Sequence, residues 1–351
     1  MAERRAVFAI PGDLATATGG YGYARRMLVE LGALGWQVRH LALDGGFPQP
    51  GPDERARACA ALAAQAEGVP LLVDGLALGA LPEVGGALGD RRPLVALVHH
   101  PLALETGLDA ARAAALRASE RAALAAARAV VVTSRSTAAL LADEYGVPPA
   151  RIAVVVPGTD PAPVARGSGA AAPGLLSVGA LVPRKGHELL LAALETLRHL
   201  PWTLTVVGDA ARSPATAADL RERVRSAGLQ DRVVFTGAVD PATLAGHYAR
   251  ADLFVLASRH EGFGMAFAEA VAHGLPVLGT RAGAIAEAVP EGAGLLVPPD
   301  DPAALARALH GLLTDRAARE QLAAGARAAA GRLERWADSA RRLAAVLESV
   351  S

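Results

Sequence analysis

Short apolar runs alternate with amphipathic segments in the first half of the chain. The runs predict strands buried on both faces, at residues 7–10, 38–43, 70–73, 94–98, 129–133 and 152–156. Between the first two, a 3.6-residue period predicts a helix ending near Gly35, with apolar positions Ala24, Met27, Leu28, Leu31 and Leu34. Strand, helix and strand in this order predict a right-handed βαβ unit.

A stretch rich in Pro, Gly and Ser interrupts the alternation at residues 157–174, which read PGTDPAPVARGSGAAAPG. We place the first domain at residues 1–160 and a linker at 161–174. Six further apolar runs then predict a second parallel sheet in a domain at 175–332, with strands at 175–178, 204–207, 233–235, 253–256, 276–278 and 295–297. The tail is helical in pattern, and we expect residues 333–351 to pack back on the first domain.

Two Rossmann-like domains agree with the length, because 351 residues are many for one hydrophobic core. The predicted fold class is therefore α/β, with two parallel-sheet domains and a cleft between them. Ligands of such folds bind at the carboxyl ends of the strands. We expect the site residues in the strand-to-helix loops.

Composition excludes several classes of protein. Hydrophobic residues make up 52% and charged residues 20%, which excludes intrinsic disorder. Lys+Arg and Asp+Glu are both 35, so we expect no nucleic-acid partner. Charged residues interrupt every long apolar stretch, so we expect no transmembrane helix. The single cysteine and the charged residues 1–5 indicate a cytoplasmic protein without a signal peptide.

Lys185 is the only lysine, and asparagine is absent, a bias that suggests a GC-rich, bacterial genome. Where arginine fills nearly every other basic position, a lone lysine marks either chance or a site that needs a compact ammonium. Lys185 follows Arg184 in a loop that begins at Gly179, after the first strand of the second domain. The pair can neutralise a diphosphate, or can simply belong to a solvated loop.

Two other loops carry candidate chemistry. Gly19 and Gly20 open into the first helix, where backbone amides can bind an anion, although such turns also serve packing alone. In the second domain, residues 258–269 read SRHEGFGMAFAE. A helix starting near Gly264 would place Glu269 in its second turn and leave Glu261 on the loop, so that each serves a different part of a ligand. Carboxylates of this kind hold sugar and ribose hydroxyls.

The Glu-x7-Glu spacing with Glu-Gly-Phe-Gly inside it resembles the retaining glycosyltransferases of the GT-B fold, family four. Segments in chain order extend the resemblance over the whole chain, at residues 19–20, 157–160, 207–209, 235–237 and 282–287. The resemblance implies transfer of a sugar from a nucleoside diphosphate sugar to an unidentified acceptor, which would bind mainly to the first domain. It also implies attack on the same face of the sugar, with a covalent intermediate on Glu261 as the less favoured route.

The resemblance assigns the donor to the second domain. Glu269 would hold the ribose hydroxyls, Glu261 would lie near the sugar, and Lys185 would contact the diphosphate, which Gly20 would approach from the first domain. The full set of expected donor contacts is Gly19, Gly20, Gly179, Arg184, Lys185, Gly208, Gly237, Glu261, Gly262, Phe263, Gly264, Met265 and Glu269. Many relatives carry Gly-Arg where this chain has Gly179 and Ala180, so Arg184 would take the part of the missing arginine.

The expected catalytic residues are His99, Arg184, Lys185 and Glu261. The family histidine follows a central strand, where this chain has His99 and His100; we favour His99 and keep His100 as an alternative. One of the pair can also merely cap the strand end. The sequence contains no Asp-x-Asp, so we expect no metal and no cofactor, with arginine, lysine and amides stabilising the leaving diphosphate.

Other functions remain open at this point. The same fold can hydrolyse or epimerise a nucleotide sugar, or bind one without catalysis. A dinucleotide dehydrogenase is disfavoured, because Gly-x-Gly-x-x-Gly does not follow the first strand. The predicted helix at 109–128 places Arg117, Arg121 and Arg128 on one side, which suits a solvated face better than peripheral contact with a membrane.

Overall fold

Each set of apolar runs forms a parallel six-stranded sheet in the computed structural model, which describes residues 4–88 and 92–351. The first sheet consists of β1 (Arg5–Pro11), β2 (Gln37–Leu43), β3 (Leu71–Asp74), β4 (Leu94–Val98), β5 (Ala129–Val132) and β6 (Ile152–Val154). The second consists of β7 (Gly174–Val178), β8 (Thr203–Val207), β9 (Val233–Gly237), β10 (Leu253–Leu256), β11 (Val277–Thr280) and β12 (Gly294–Val297). All twelve predicted strands, and the α/β fold class, are confirmed.

Helices follow most of the strands. In the first half they are α1 (Gly19–Ala33), α2 (Pro52–Ala63), α3 (Gly75–Leu78), α4 (Val84–Leu88), α5 (Ala110–Ala125) and α6 (Arg135–Tyr145). Later come α7 (His187–Thr196), α8 (Pro214–Ser226), α9 (Pro241–Arg250), α10 (Met265–Ala272), α11 (Ile285–Ala288), α12 (Pro302–Thr314), α13 (Arg316–Ala330) and α14 (Trp336–Val350). The predicted first helix, expected to end near Gly35, is α1.

The first compact unit comprises Met1–Gly158 and Glu334–Ser351. Its strand order is β2-β1-β3-β4-β5-β6. The central strands are buried on both faces, as their uninterrupted apolar runs require. The C-terminal helix α14 belongs to this unit, and its Trp336 lies edge-on against Tyr23 of α1, with ring centroids 5.9 Å apart.

The second compact unit, Thr159–Leu333, has the strand order β12-β11-β10-β7-β8-β9. Its core includes Trp202 and Phe254, both almost fully buried. Strands β7 and β10 are neighbours although two βα units separate them in sequence, so the strand order reverses between them. A parallel sheet opens a crevice at such a point, where loops from neighbouring strands diverge.

The segment at 161–174 carries no helix or strand before Gly174, and it belongs to the second unit. Backbone N–H groups of Ala165 and Arg166 donate to the carbonyls of His273 and Ala249, both at 2.8 Å. The Asp252 carboxylate accepts from the N–H of Gly174 at 2.7 Å. These bonds fasten the whole segment to the unit that follows it.

The arginine-bearing helix differs from its predicted extent. Helix α5 ends at Ala125, so Arg128 lies beyond it, and the prediction of three arginines on one helix face is wrong. Arg128 donates instead to the Val350 carbonyl at 3.3 Å, and Arg117 pairs with Glu144.

Residues 1–3 of the charged N-terminal segment lie outside the described residues. Within residues 4–88 and 92–351, no helix is long and apolar enough to cross a membrane.

Candidate active site

The loops after β7 and β10 lie at the reversal point of the second sheet and carry most of the expected donor residues. The first contains a 3-10 turn, Pro183–Lys185, followed by Gly186. Gly186 has φ +63°, and a Cβ there would lie 2.0 Å from the Ala257 carbonyl oxygen. Only glycine fits this position, which holds the cationic turn against the end of β10.

Glu261 forms the centre of an ion cluster on the second loop. Its carboxylate accepts from Lys185 Nζ at 2.6 Å, from Arg184 at 3.4 Å and from Ser258 Oγ at 2.6 Å. Only 7% of Glu261 is exposed. Burial by itself raises the pKa of this carboxyl, but the adjacent Lys185 and Arg184 outweigh it and lower the pKa to about 2. The carboxylate is therefore ionised at neutral pH.

Arg259 fastens the two loops to each other. Its N–H donates to the Arg184 carbonyl at 2.8 Å, and its guanidinium donates to the Pro183 carbonyl at 2.6 Å. The same guanidinium pairs with Glu188 and, at 2.8 Å, with Asp300. The cationic turn is thus held from the backbone as well as through its side chains.

Glu269 is placed by a different partner. Helix α10 begins at Met265, after Gly264 with φ +100°, so Glu269 lies in the second turn, as the sequence predicts. The Tyr248 hydroxyl of α9 donates to the Glu269 carboxylate at 2.9 Å. Burial raises the pKa of Glu269, and the Tyr248 hydrogen bond offsets part of this rise. Between the two carboxylates lie Gly262 and the buried Phe263.

Three expected glycines stack at the ends of neighbouring strands. Gly179 N–H donates to the Val207 carbonyl at 2.9 Å, and Gly208 N–H donates to the Gly237 carbonyl at 3.0 Å. A Cβ on Gly208 would lie 1.9 Å from the Gly179 carbonyl oxygen. The loops after β7 and β8 approach so closely that their backbones leave no room for a side chain there.

The first unit carries its own candidate cluster. Gly19 and Gly20 form the first turn of α1, and a Cβ on Gly20 would lie 3.4 Å from Cδ2 of His99. His99 Nε2 lies 3.5 Å from the Asp74 carboxylate. His100 Nε2 lies 3.5 Å from the exposed Glu105 instead. Of the two histidines, His99 is the one beside the glycine turn.

Several side chains of these clusters were not predicted from the sequence. Ser258 and Tyr248 hold the two carboxylates, and His187 lies beneath the Gly179 loop. Tyr248 lies far in the sequence from its partner Glu269, and no sequence pattern marks Ser258 or His187 as a contact residue. Asp74, which ends β3 and lies 3.5 Å from His99 Nε2, was not predicted either. Over residues 4–88 and 92–351, no group of three or more His, Cys, Asp or Glu is arranged to hold a metal ion.

Two family matches cover most of the chain. Residues 68–163 match Glycosyltransferase Family 4, and residues 172–315 match Glycosyl transferases group 1. A D-inositol 3-phosphate glycosyltransferase of Kineococcus radiotolerans is 39% identical over 219 residues, which is 54% of this chain and 49% of the relative. A lipopolysaccharide core mannosyltransferase, LpsB of Rhizobium meliloti, is 35% identical over 48% of this chain and 49% of its own. The chain spans about half the length of the curated relatives it matches.

Solved structures extend the likeness to the whole fold. Sucrose-phosphate synthase of Thermosynechococcus elongatus has a TM-score of 0.83 and 26% identity, covering 99% of this chain and 98% of its own. Anabaena HepE in complex with UDP and glucose has a TM-score of 0.77 and 19% identity, covering 99% and 100%. The GT-B fold that the sequence resemblance implies is confirmed.

Proposed function

This chain carries two glycosyltransferase family regions in order, its relatives are glycosyltransferases, and we propose that it is a retaining, metal-independent glycosyltransferase with a nucleoside diphosphate sugar as donor. Sugar transfer from such a donor breaks the bond between the anomeric carbon and a phosphate oxygen. Negative charge then accumulates on the leaving diphosphate. The protein must stabilise this charge where it develops.

The observation that carries the proposal is the ion cluster at the reversal point of the second sheet. Arg184 and Lys185 supply a planar fork and a compact ammonium on one short turn, and Glu261 holds both within hydrogen-bond distance. A diphosphate that enters this turn exchanges part of the Glu261 contact for phosphate oxygens. Glu261 and the amides of Phe263 to Met265 then lie next to the place of the sugar.

The remaining assignments are part of the same proposal. Glu269, held by Tyr248, has a second carboxylate oxygen with which to accept hydrogen bonds from ribose hydroxyls. In the first unit, His99 lies beside the Gly20 turn, and we assign the acceptor mainly to this unit. Two of the relatives named above act on inositol phosphate or make a sugar phosphate, so phosphorylated polyols and sugars are the first acceptors to test.

Nucleotide release from UDP-, GDP- and ADP-sugars, with a chelator throughout, tests the proposal. Each donor is assayed alone and with phosphorylated polyols or sugars, and Lys185→Ala and Arg221→Ala are run beside the wild type. Arg221 lies exposed on α8 and controls for loss of a cation in the same unit. We expect acceptor-dependent release that Lys185→Ala abolishes and Arg221→Ala retains, and a product with the donor's anomeric configuration by NMR.

The same assay separates the alternatives. Rapid release that no acceptor stimulates would indicate a nucleotide-sugar hydrolase, and donor isomerisation would indicate an epimerase. Tight donor binding without turnover for any acceptor would indicate a binding protein. Activity that the chelator abolishes would remove the metal-independent part of the proposal.

A further inference from the structure

His187 is a buried titratable side chain that the roles proposed above leave unused. It opens α7 directly after Gly186, and only 2% of its surface is exposed. Lys185, two residues earlier, reaches Glu261 on one side of the turn, whereas His187 reaches the Gly179 loop. Residues 185–187 therefore contact both the loop after β7 and the loop after its neighbour β10.

The partners of the imidazole define its tautomer. Nε2 lies 3.3 Å from the Gly179 carbonyl oxygen, and Nδ1 lies 3.5 Å from the Ser177 hydroxyl. Burial lowers the pKa of His187 to about 4, and the nearby Lys185 charge acts in the same direction. The ring is thus neutral at neutral pH. Because a carbonyl only accepts, Nε2 carries the proton and donates to Gly179, which leaves Nδ1 to accept from Ser177.

This contact fixes the orientation of the peptide between Gly179 and Ala180. The Gly179 carbonyl oxygen lies 3.3 Å from His187 Nε2 and packs so closely against Gly208 that a Cβ there would lie 1.9 Å from it. In a trans peptide the following N–H points opposite to the carbonyl. Gly179 and Leu181 both donate to the strand β8 side, at 2.9 Å each, so the intervening Ala180 N–H points away from β8.

The other neighbour of β7 is β10, and its loop carries Glu261. The Ala180 N–H donates to no acceptor among the residues that the structure describes. Alanine has no donor in its side chain, so the backbone N–H is the only hydrogen-bond donor that position 180 offers. An anion held by Lys185 and Arg184 would lie on the side to which this N–H points.

We propose that His187 is a positioning residue of the donor site, which holds the Gly179 carbonyl inward and thereby presents the Ala180 N–H to the donor's diphosphate. This inference rests on the proposed function, because it requires a diphosphate beside Lys185. It concerns binding of the diphosphate alone. The base and ribose of the donor take no part in it.

Calorimetry with a nucleoside diphosphate and the matching nucleoside tests the inference. UDP, GDP and ADP are titrated into the wild-type protein, and the tightest is carried forward with its nucleoside to His187→Leu and His187→Gln. Leucine fills the space without a donor, whereas the glutamine amide can still donate to the Gly179 carbonyl. We expect His187→Leu to weaken diphosphate binding about tenfold or more and to leave nucleoside binding unchanged. His187→Gln should restore most of the diphosphate affinity.

Three results would overturn the inference: unchanged diphosphate affinity in folded His187→Leu, equal losses for diphosphate and nucleoside, or a folded His187→Gln variant that does not recover. If His187→Leu fails to fold, Ser177→Ala provides the test, since it frees the ring without removing its N–H. About threefold weaker diphosphate binding is then expected, and unchanged binding contradicts the inference.

The outcome for the proposed function is separate. Wild-type protein that binds a nucleoside diphosphate but transfers no sugar would refute the glycosyltransferase proposal, and the His187 variants would still decide the inference. Wild-type protein that binds none of the three diphosphates would refute both.

Discussion

Each unit buries a carboxylate beneath loops at the carboxyl edge of its sheet, and the two carboxylates differ in charge. In the first unit, Glu120 of α5 is 1% exposed and accepts from the Leu102 N–H at 3.1 Å, in the loop after β4. Burial raises its pKa to about 8, and the Leu102 hydrogen bond offsets only part of the rise. In the second unit, Glu261 is ionised, with a pKa of about 2.

The difference shows that the partner, more than the depth of burial, decides the charge of these groups. Glu261 has an ammonium at 2.6 Å, whereas Arg117, the cation that lowers the pKa of Glu120 through space, pairs directly with Glu144. Without a contacting cation, desolvation favours the protonated acid. The second unit therefore offers fixed charges to a ligand, and the first keeps its buried acid neutral at neutral pH.

Glu120→Gln gives the largest expected effect. The folded pKa of about 8 exceeds the ordinary value of 4.5, so folding takes up a proton between these values and wild-type stability falls as pH rises through this window. A shift of this size corresponds to about 3–5 kcal/mol lost by pH 8. Glutamine keeps an acceptor oxygen for Leu102 without ionising. We expect the variant to be more stable than wild type at pH 8 by about this amount.

Urea unfolding at pH 5 and pH 8 measures this effect. Trp36 and Trp336 lie in the first unit and Trp202 in the second, so a Trp202→Phe background confines the fluorescence signal to the first unit. The exposed Glu67→Gln variant is the control for loss of a carboxylate. Equal pH dependence in Glu120→Gln and wild type would show that Glu120 is already ionised at pH 5.

Lys185→Ala tests the ionised carboxylate of the second unit, because it removes a cation that contacts Glu261. Under the proposed function, the transition state loses a charge-assisted contact to the leaving diphosphate, which we expect to cost about 2–4 kcal/mol, or about 30- to 1000-fold in rate. Initial rates of nucleotide release with saturating donor measure the loss. Turnover close to that of Arg221→Ala would remove Lys185 from the mechanism.

Glu269→Ala adds a third carboxyl group to the comparison. Glu269 belongs to the second unit, but its hydrogen-bond partner is the neutral Tyr248 hydroxyl. Under the proposed function, its removal deprives the ribose of a carboxyl acceptor, which we expect to cost about 1–3 kcal/mol, or roughly 5- to 150-fold in donor affinity. Calorimetric titration of the donor nucleotide measures this loss. Affinity equal to that of the wild type would contradict the assignment of the ribose to Glu269.

Tyr248→Phe tests the neutral partner itself and has the smallest expected effect. Loss of the hydroxyl leaves Glu269 in place but free to rotate, at a cost of about 0.5–1.5 kcal/mol, or up to about tenfold in donor affinity. The tyrosine hydrogen bond favours the ionised form of Glu269, so the pKa of this carboxyl should rise further in the variant. Donor affinity measured from pH 5 to pH 8 should then recover at a higher pH than in the wild type.

Much of the fold was predictable because the strand pattern is local. Leu94–Val98 is an unbroken apolar run between polar flanks, and only a strand buried on both faces suits it. The end of α5 was harder to predict, because alanine and arginine continue past Ala125 without a break in the pattern. The order of the strands has no comparable local signal, since pairing is decided by packing between segments far apart in sequence.

The candidate site was likewise predictable in its local features and not in its long-range contacts. The sequence placed Lys185 and Glu261 in strand-to-helix loops and Glu269 in the helix that follows, because glycine turns and apolar periods mark these elements locally. It did not show that Lys185 contacts Glu261 across 76 residues, or that Tyr248 contacts Glu269 across 21. Nor did it show that His187 supports Gly179.

By itself, the sequence determined two α/β halves, their strands, and the loops that carry glycine, cation and carboxylate. Hydrophobic periodicity depends on residues that are close together in the sequence, so it can be recognised without the tertiary structure. The tertiary structure alone decided which carboxylate is charged, because the pKa values of Glu120 and Glu261 depend on burial and on partners that folding brings together. Electrostatic energy changes steeply with distance over a few ångströms, and only the folded chain sets those distances.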